Sequence, residues 1–313
     1  MGSFPLSSSI SLHYELRGAP DSPQKVLLVM GAFGTRRHFE QLADFLSSSA
    51  EVMSYDHRGI GKSVSSAKDR GASQTSALLA ADALALLDHV WPNGAAGLHV
   101  YGASMGGMVT QKLALLLLAR SNSKLPLRTL TLAVTARCYG LARFVPIGAS
   151  FYRLVLPLAL ASTPTALVDS LLPKCFSSGF LIEPHPRDSG RKMGELWRQR
   201  WIAEFDEWWS LRDIESTAAQ ATVAGRHYTS AAEFNTLRNS NVPVLVIVAE
   251  RDELMSPKAQ RELASLLRAT THSSRGGHMG SSAEFAEICR VLAAHIRAGS
   301  ASASMAGDKK DPT

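Results

Sequence analysis

Short apolar runs alternate along the chain with segments whose apolar residues recur at helical spacing. Residues 25–31 (KVLLVMG) form a continuous β-rich run of the kind buried on both faces of a sheet, and residues 9–17 alternate like an edge strand. Further strands are predicted at 51–56, 98–102, 127–135 and 242–250, and helices at 35–47, 74–90, 105–120, 257–268 and near 282–298. This alternation predicts an α/β fold in which helices cover both faces of a mostly parallel central sheet.

The interval at about 138–239 breaks this rhythm, because it holds no clear buried strand and becomes rich in proline, arginine and tryptophan. Apolar residues within it recur at three- or four-residue spacing, which places them on one face of a helix: Met193, Trp197, Trp201, Phe205 and Trp208. Such a stripe either packs onto the main domain or covers an apolar binding cavity, and an inserted cap would do both. We therefore expect Trp197 and Trp201 to contribute to substrate binding.

The change in pattern divides the chain into three parts. Residues 1–136 and 240–298 are predicted to form the core, with 137–239 inserted into it as a helical cap. The last segment, 299–313, is rich in Ser, Ala and Gly, which predicts a disordered tail.

The composition is that of a globular protein, since 45% of the 313 residues are hydrophobic and 19% are charged. The net charge of +6 includes no basic block resembling a nucleic-acid-binding arm, so nucleic acid is not an expected partner. The charge permits peripheral contact with an acidic membrane without establishing it, and no apolar run is long enough to span a bilayer. Three widely spaced cysteines and an N-terminus without an apolar signal core favour a reducing, cytoplasmic compartment. The oligomeric state stays open.

The strongest local signal is the segment 102–106 (GASMG), which follows a predicted strand and precedes a helical stretch. In that context the pattern G-x-S-x-G places a serine on a sharp strand-to-helix turn. The backbone N–H of Met105 begins the helix, so it would point towards the same spot as the Ser104 hydroxyl. Ser104 is therefore the candidate nucleophile and Met105 a candidate oxyanion donor.

A serine hydroxyl needs an adjacent base to act as a nucleophile near neutral pH. Among the ten histidines we choose His278, because the paired glycines of RGGHM precede it in a loop before the last helix. His57 and His99 lie beside or within strand candidates and are expected to have structural roles.

A base histidine in turn needs a carboxylate that fixes its tautomer. Asp252 lies just beyond the strand at 242–250, and Glu250 is the next choice, with Glu253 also nearby. The resulting chain order, Ser then acid then His, is the one expected for a nucleophile on such a turn.

Two further glycine-containing segments follow strands. In 30–34 (MGAFG), a backbone N–H could supply the second oxyanion donor, with Ala32 as first choice and Phe33 behind it. We also expect Phe33 to contribute to substrate binding. The segment 56–63 (DHRGIGKS) lacks the spacing of a phosphate-binding loop and is interpreted as a structural turn held by Asp56 and Arg58.

Five of these segments occur in the order found in the α/β-hydrolase superfamily and resemble its conserved loops: MGAFG, DHRGIGKS, GASMGG, VAERDELMSP and RGGHM. They resemble, in that order, the oxyanion turn, the loop after the next strand, the nucleophile elbow, the acid loop and the histidine loop. The resemblance runs through most of the chain and is to the capped, esterase- or lipase-like branch. It implies the α/β-hydrolase fold, with the cap between the strands at 127–135 and 242–250.

Two departures from the family pattern are Met30, where the family often has His, and Ala249, where it often has Gly. Ser rather than Asp at position 104 argues against an epoxide hydrolase or a haloalkane dehalogenase, which resemble this pattern but use a carboxylate nucleophile.

The main expectation is hydrolysis of a carboxylic ester, with a thioester or amide less favoured, through an acyl-enzyme on Ser104. The substrate would be a small molecule with an apolar, lipid-derived group, and the chemistry needs no metal and no organic cofactor. Acyl transfer to another acceptor, or perhydrolysis, would use the same triad. A different class of function, a ligand receptor or scaffold with little turnover, is the remaining alternative.

Overall fold

The computed structural model describes residues 1–66, 69, 72–138, 161–185, 188–209, 214–279 and 282–307. The strands are β1 Gly2–Pro5, β2 Ile10–Arg17, β3 Gln24–Val29, β4 Glu51–Tyr55, β5 Val64–Ser65, β6 Gly97–Ala103, β7 Leu127–Ala133, β8 Pro184–His185, β9 Asp188–Lys192, β10 Val244–Ala249 and β11 Thr270–Ser274. A short 3₁₀ helix spans Arg36–Phe39. The α-helices are α1 Glu40–Leu46, α2 Ser76–Val90, α3 Met105–Leu118, α4 Pro164–Cys175, α5 Ser178–Ile182, α6 Met193–Trp209, α7 Ile214–Arg226, α8 Ala231–Asn239, α9 Pro257–Leu267 and α10 Ser282–Gly307.

A single nine-stranded sheet forms the centre of the fold. Its strand order is β1-β2-β4-β3-β6-β7-β10-β11, with β5 paired to β2. The pairs from β4 to β11 are parallel, whereas β1, β2 and β5 are joined by antiparallel pairing at one side. Because parallel neighbours point the same way, the loops after β3, β6, β10 and β11 emerge at one edge of the sheet.

Helices pack on both faces of this sheet, as the sequence predicts. Alternate residues of β3 reach opposite layers: Leu27 and Val29 pack with α2 and α3, while Val26 and Leu28 pack with α1 and α10. This alternation is the two-residue period of a strand buried on both faces. None of the described helices is long and apolar enough to cross a membrane.

The interval between β7 and β10 is occupied in its described part by the helices α4 to α8 and the hairpin β8–β9. The helices α4, α5 and α6 contribute to a separate apolar cluster, which contains Leu167, Phe180 and Trp201. In contrast, Phe234 and Leu237 of α8 pack in the same layer as α2 and α3. The chain therefore already packs on the main core at Phe234, a few residues before the boundary at 240 that the sequence analysis predicts.

The C-terminal helix α10 continues to Gly307, which corrects the prediction of a disordered tail from 299. Alanine favours a helix, and the Ser300 hydroxyl donates to the carbonyl oxygen of Ile296, 3.0 Å away, within the same helix. Of the predicted tail, residues 308–313 lie outside the described residues.

Candidate active site

Ser104 lies between β6 and α3 in a backbone conformation that L-residues rarely adopt, with φ 54° and ψ −123°. A non-glycine residue held in such a conformation is strained, and such strain concentrates at functional sites. The turn is tight: a Cβ added at Gly106 would lie only 2.1 Å from the carbonyl oxygen of Val29. Glycine at 106 therefore allows the start of α3 to approach β3, and Ser104 itself remains half-buried at the end of the strand.

Met105 is the first residue of α3, where backbone N–H groups have no partner within the helix. Among the described residues, the Met105 N–H has no acceptor. A free donor at the positive end of a helix dipole is available to an anionic group beside Ser104.

His278 and Asp252 are in direct contact, with His278 Nδ1 and Asp252 Oδ2 2.8 Å apart. The Asp252 side chain is fully buried and that of His278 is 9% exposed. Since a carboxylate accepts, the ring donates its Nδ1 proton, and Nε2 is left as the basic nitrogen. The structure thus brings together the predicted base and the predicted acid, which follow β11 and β10.

Asp252 is held from several sides by hydrogen bonds. Its Oδ1 accepts from the backbone N–H groups of Leu254 and Met255, at 2.9 and 2.8 Å. Its Oδ2 accepts from Nε2 of Gln260, 3.0 Å away on helix α9. Sequence reasoning missed Gln260, since a glutamine on a helix carries no motif that would identify it.

The two alternative acids are placed elsewhere. Glu250 pairs with Arg261 at the surface, and Glu253 is exposed. His278 is bonded to Asp252 and not to Glu250 or Glu253, so the geometry favours Asp252 as the partner of the histidine.

The histidine loop is fixed by the first turn of α10. The Glu284 carboxylate accepts from the backbone N–H of Arg275 at 2.9 Å and from the Ser274 hydroxyl. On the other side of His278, the N–H of Met279 donates to the carbonyl oxygen of Cys175 at 3.0 Å. One of these supports belongs to the core and the other to helix α4.

The loop after β3 passes close to the candidate nucleophile: a Cβ added at Gly31 would lie 3.1 Å from Cβ of Ser104. The N–H of Phe33, whose φ is 65°, donates to Gln220 Oε1 at 2.6 Å. The N–H of Ala32 has no acceptor among the described residues. Of the two predicted choices for an oxyanion donor, Ala32 is therefore free and Phe33 is occupied.

The predicted substrate-binding residues meet in one apolar cluster. Phe33 and Trp201 are buried in it, and Trp197 is partly buried against it. Phe176 links the two tryptophans, with ring centroids 5.1 Å from Trp197 and 5.5 Å from Trp201. Leu254, two residues after Asp252, packs in the same cluster, so this apolar surface adjoins the predicted acid loop. The side chain of Trp208, the last residue of the predicted stripe, lies outside the described residues.

A buried ion pair joins the segment just after the predicted oxyanion loop, residues 30–34, to helix α6. His38 Nδ1 and Glu204 Oε1 are 2.7 Å apart, and the Thr35 hydroxyl donates to the same oxygen at 2.7 Å. Burial alone would lower the pKa of His38, but the Glu204 charge outweighs it and raises the pKa. Burial alone would raise the pKa of Glu204, and His38 with the Thr35 hydroxyl lowers it instead. Both shifts favour the charged pair.

His57 and His99 are buried and bonded within the core, as the sequence analysis expects of structural residues. His57 Nε2 lies 2.9 Å from the carbonyl oxygen of Met30, and His99 lies 2.9 Å from both Thr129 and Gln24. Burial lowers the pKa of each ring to about 4. Neutral rings bonded in this way serve the fold.

The turn at 56–63 is also structural. The Asp56 carboxylate accepts from the backbone N–H groups of Arg36, at 2.7 Å, and Lys62, at 3.0 Å. Arg58 forms an ion pair with Asp82 of helix α2. These bonds hold the turn against the core.

A mostly parallel sheet with helices on both faces, a strained serine after β6 and an acid–histidine pair after β10 and β11 together define an α/β-hydrolase. The chain belongs to the family described as serine aminopeptidase, S33, whose model matches residues 20–275.

One curated relative is a putative carbamate hydrolase, RutD, of Caulobacter vibrioides (strain NA1000 / CB15N). It is 35% identical over 105 residues, which cover 33% of this chain and 37% of the relative. The match thus spans little more than a third of that relative's length.

Similar solved structures cover nearly the whole chain. A hydrolase from Pseudomonas aeruginosa PA01 is 22% identical with a TM-score of 0.70, covering 94% of this chain and 97% of its own. A thermophilic esterase from Thermogutta terrifontis is 21% identical with a TM-score of 0.69, covering 93% of this chain and 94% of its own. At these identities the likeness is one of fold.

Proposed function

We propose that this protein hydrolyses carboxylic esters by nucleophilic catalysis, with Ser104 as the nucleophile and His278 as the base. The single observation that carries the proposal is the buried Asp252–His278 pair, 2.8 Å apart, at the sheet edge where Ser104 stands in its strained turn. A structural histidine at this edge would not need a fully buried carboxylate on Nδ1 with Nε2 left available.

In the proposed reaction, His278 Nε2 takes the hydroxyl proton of Ser104 as Oγ attacks the ester carbonyl carbon. The carbonyl oxygen becomes an oxyanion and accepts from the N–H groups of Ala32 and Met105, the two donors that are otherwise free. The C–O bond to the alcohol then breaks, and His278 returns the proton to the leaving oxygen. Asp252 stabilises the imidazolium and keeps it oriented.

The second half of the reaction repeats these steps with water. His278 removes a proton from water as its oxygen attacks the acyl carbon, and the resulting oxyanion uses the same two donors. Collapse breaks the acyl–Oγ bond, releases the carboxylic acid and returns the proton to Ser104. Every proton transfer in this cycle takes place through His278, so the reaction needs no other acid or base.

The apolar cluster of Phe33, Trp197 and Trp201 supports an ester with an apolar acyl or alcohol group. Acyl transfer and perhydrolysis remain alternatives, since they would replace only the water of the second half-reaction. A small-molecule amide or carbamate is a second candidate substrate, favoured by the family described as serine aminopeptidase and by the carbamate hydrolase relative.

The test is labelling of the purified protein with a fluorophosphonate, read by intact mass, beside Ser104→Ala and His278→Ala. We expect one adduct per chain in the parent and none in either variant, because phosphonylation requires an activated serine. Turnover of p-nitrophenyl esters of increasing acyl length should fall by about 10⁵ or more in Ser104→Ala. An amide and a carbamate series, and product analysis with competing alcohol and peroxide, separate the alternatives.

A folded parent protein that takes no label would overturn the hydrolase proposal. In that case tight binding of an apolar ester by both the parent and Ser104→Ala, without turnover, would identify a ligand receptor built on this fold.

A further inference from the structure

Helix α7 carries a buried glutamine that reaches the oxyanion loop. Gln220 is fully buried, and its Oε1 accepts from the Phe33 N–H at 2.6 Å. Its other amide atom, Nε2, has no acceptor among the described residues. Leaving a buried donor unpaired is unfavourable, and an apolar side chain of the same size would avoid it. The useful part of the Gln220 side chain is therefore its Oε1 atom, which accepts the hydrogen bond from Phe33.

The bond acts at a point of backbone strain. Phe33 has φ 65°, a conformation that L-residues with large side chains rarely adopt unless the surroundings impose it. Its neighbour Ala32 carries an N–H that has no acceptor in the described part of the chain, next to Gly31, which lies close to Ser104. An acceptor on Phe33 fixes the turn in which Ala32 sits and removes Phe33 as a competing donor.

The support behind Gln220 is rigid. Val223, one turn further along α7, is fully buried in the main core. The Thr222 hydroxyl donates to the carbonyl oxygen of Gln74 at 3.0 Å, and His227 Nδ1 lies 2.8 Å from the Ser76 hydroxyl just beyond the helix. Groups that must hold a catalytic geometry work best on such fixed elements.

We infer that Gln220 is a positioning residue for the oxyanion hole, which holds the Phe33 turn so that the Ala32 N–H faces the developing oxyanion. This inference rests on the proposed function, since it has meaning only for an enzyme that uses Ser104. Gln220 acts through Phe33 and touches no reacting atom.

The test compares Gln220→Met, which removes the acceptor at similar size, with Gln220→Glu, which keeps an acceptor. We expect Gln220→Met to lower kcat for an apolar p-nitrophenyl ester by about tenfold to hundredfold, with KM changed much less. Affinity for an alkyl trifluoromethyl ketone, whose adduct with Ser104 carries an oxyanion, should fall by a similar factor. Gln220→Glu should recover most of both losses, and the matched control Arg226→Gln, at the exposed end of the same helix, should behave as the parent.

The outcomes separate this inference from the proposed function. A parent protein that is not labelled at Ser104 overturns the function itself, whatever the variants do. A labelled parent with unchanged kcat and ketone affinity in Gln220→Met overturns the positioning role alone. Equal losses in Gln220→Met and Gln220→Glu, accompanied by the same drop in Tm, would show a packing role and also overturn it.

Discussion

The acid loop after β10 and the oxyanion loop after β3 emerge at the same edge of the sheet, but different parts of the chain hold them. Apart from the bond from His278, Asp252 accepts hydrogen bonds from Leu254, Met255 and Gln260, all within eight residues of it in the chain. The N–H of Phe33 donates to Gln220, which lies 187 residues further along the chain. Most of the bonds to Asp252 are thus local in the chain, whereas Phe33 of the predicted oxyanion loop is held by a helix from the distant interval between β7 and β10.

The same contrast holds for the neighbours of each loop. Two residues that follow the predicted oxyanion loop contact Glu204 of α6: Thr35 through a hydrogen bond and His38 through an ion pair. The acid loop instead rests on α9, the helix that directly follows it. We infer that a change in helices α6 or α7 would disturb the predicted oxyanion loop before it disturbs Asp252.

The largest expected effect comes from Asp252→Asn, which keeps the shape of the acid loop and removes its charge. We expect kcat to fall by about 10⁴, because an amide cannot stabilise the imidazolium and favours the wrong tautomer of His278. Steady-state kinetics on an apolar p-nitrophenyl ester measure this. Glu250→Gln is the matched control, since Glu250 pairs with Arg261 at the surface, and it should retain the parent's kcat. A similar loss in both variants would mean that the acid has been assigned wrongly.

A smaller effect is expected from Gln260→Met, which tests how local the support of the acid is. The variant removes the hydrogen bond to Asp252 Oδ2 and those that Gln260 makes with the Ala249 N–H and the Met255 carbonyl oxygen, and it leaves the backbone donors of Leu254 and Met255 in place. We expect kcat to fall about tenfold, through misorientation of His278. The rate of fluorophosphonate labelling should fall in parallel. A loss as large as that of Asp252→Asn would contradict the view that the two backbone donors alone can hold the loop.

The smallest effect on catalysis, and one seen mainly in stability, is expected from Glu204→Gln. The pKa of His38 is raised above its ordinary value of 6.5. The stability that the charged His38 ring adds to the fold is therefore complete below pH 6.5, and it is lost as the pH rises through the raised pKa of the folded state. The pKa of Glu204 is lowered below its ordinary value of 4.5. The stability that the Glu204 carboxylate adds to the fold is therefore complete above pH 4.5, and it is lost as the pH falls through the lowered pKa of the folded state. The pair therefore stabilises the fold most between these two values.

We expect Glu204→Gln to lower the free energy of unfolding by about 2 kcal/mol near pH 6, and by less at pH 9. Arg200 nearby opposes the charge on His38 and favours that on Glu204. Urea unfolding at a series of pH values measures the difference. The control is Asp169→Asn, which breaks the exposed pair between Asp169 and Arg198 of the same helix and should change little. A loss for Glu204→Gln that is constant across this pH range would argue against a charged pair.

Local patterns in the sequence were sufficient to predict the sheet and to single out Ser104, Asp252 and His278, and the catalytic roles of these three residues stay predictions. Each of these depends on residues within a few positions of one another or on strands with a continuous apolar run. The prediction of Ala32 as an oxyanion donor, and of Phe33, Trp197 and Trp201 in substrate binding, stays a prediction. The structure adds two observations to this prediction. The Ala32 N–H has no acceptor among the described residues, and Phe33, Trp197 and Trp201 lie in one apolar cluster.

Sequence reasoning missed Gln260, which acts close by in the chain, and two residues that act over a long separation. Gln220 and Glu204 carry no motif, because their roles are set by how the inserted helices pack on the core. The end of α10 was missed for a different reason. Ser-, Ala- and Gly-rich composition is typical of tails, but in 299–307 it continues a helix that Ser300 ties to both Ile296 and His99.

The insertion between β7 and β10 also has a consequence for how the chain is made. These two strands are parallel neighbours in the sheet, yet β7 ends at Ala133 and β10 begins only at Val244. During synthesis, β7 is completed long before its partner leaves the ribosome, so its open edge must wait for the intervening segment. The strands that precede Asp252 and His278, β10 and β11, are thus the last strands of the sheet to be synthesised. We expect nascent chains stopped before β10 to be bound by chaperones and to aggregate when released.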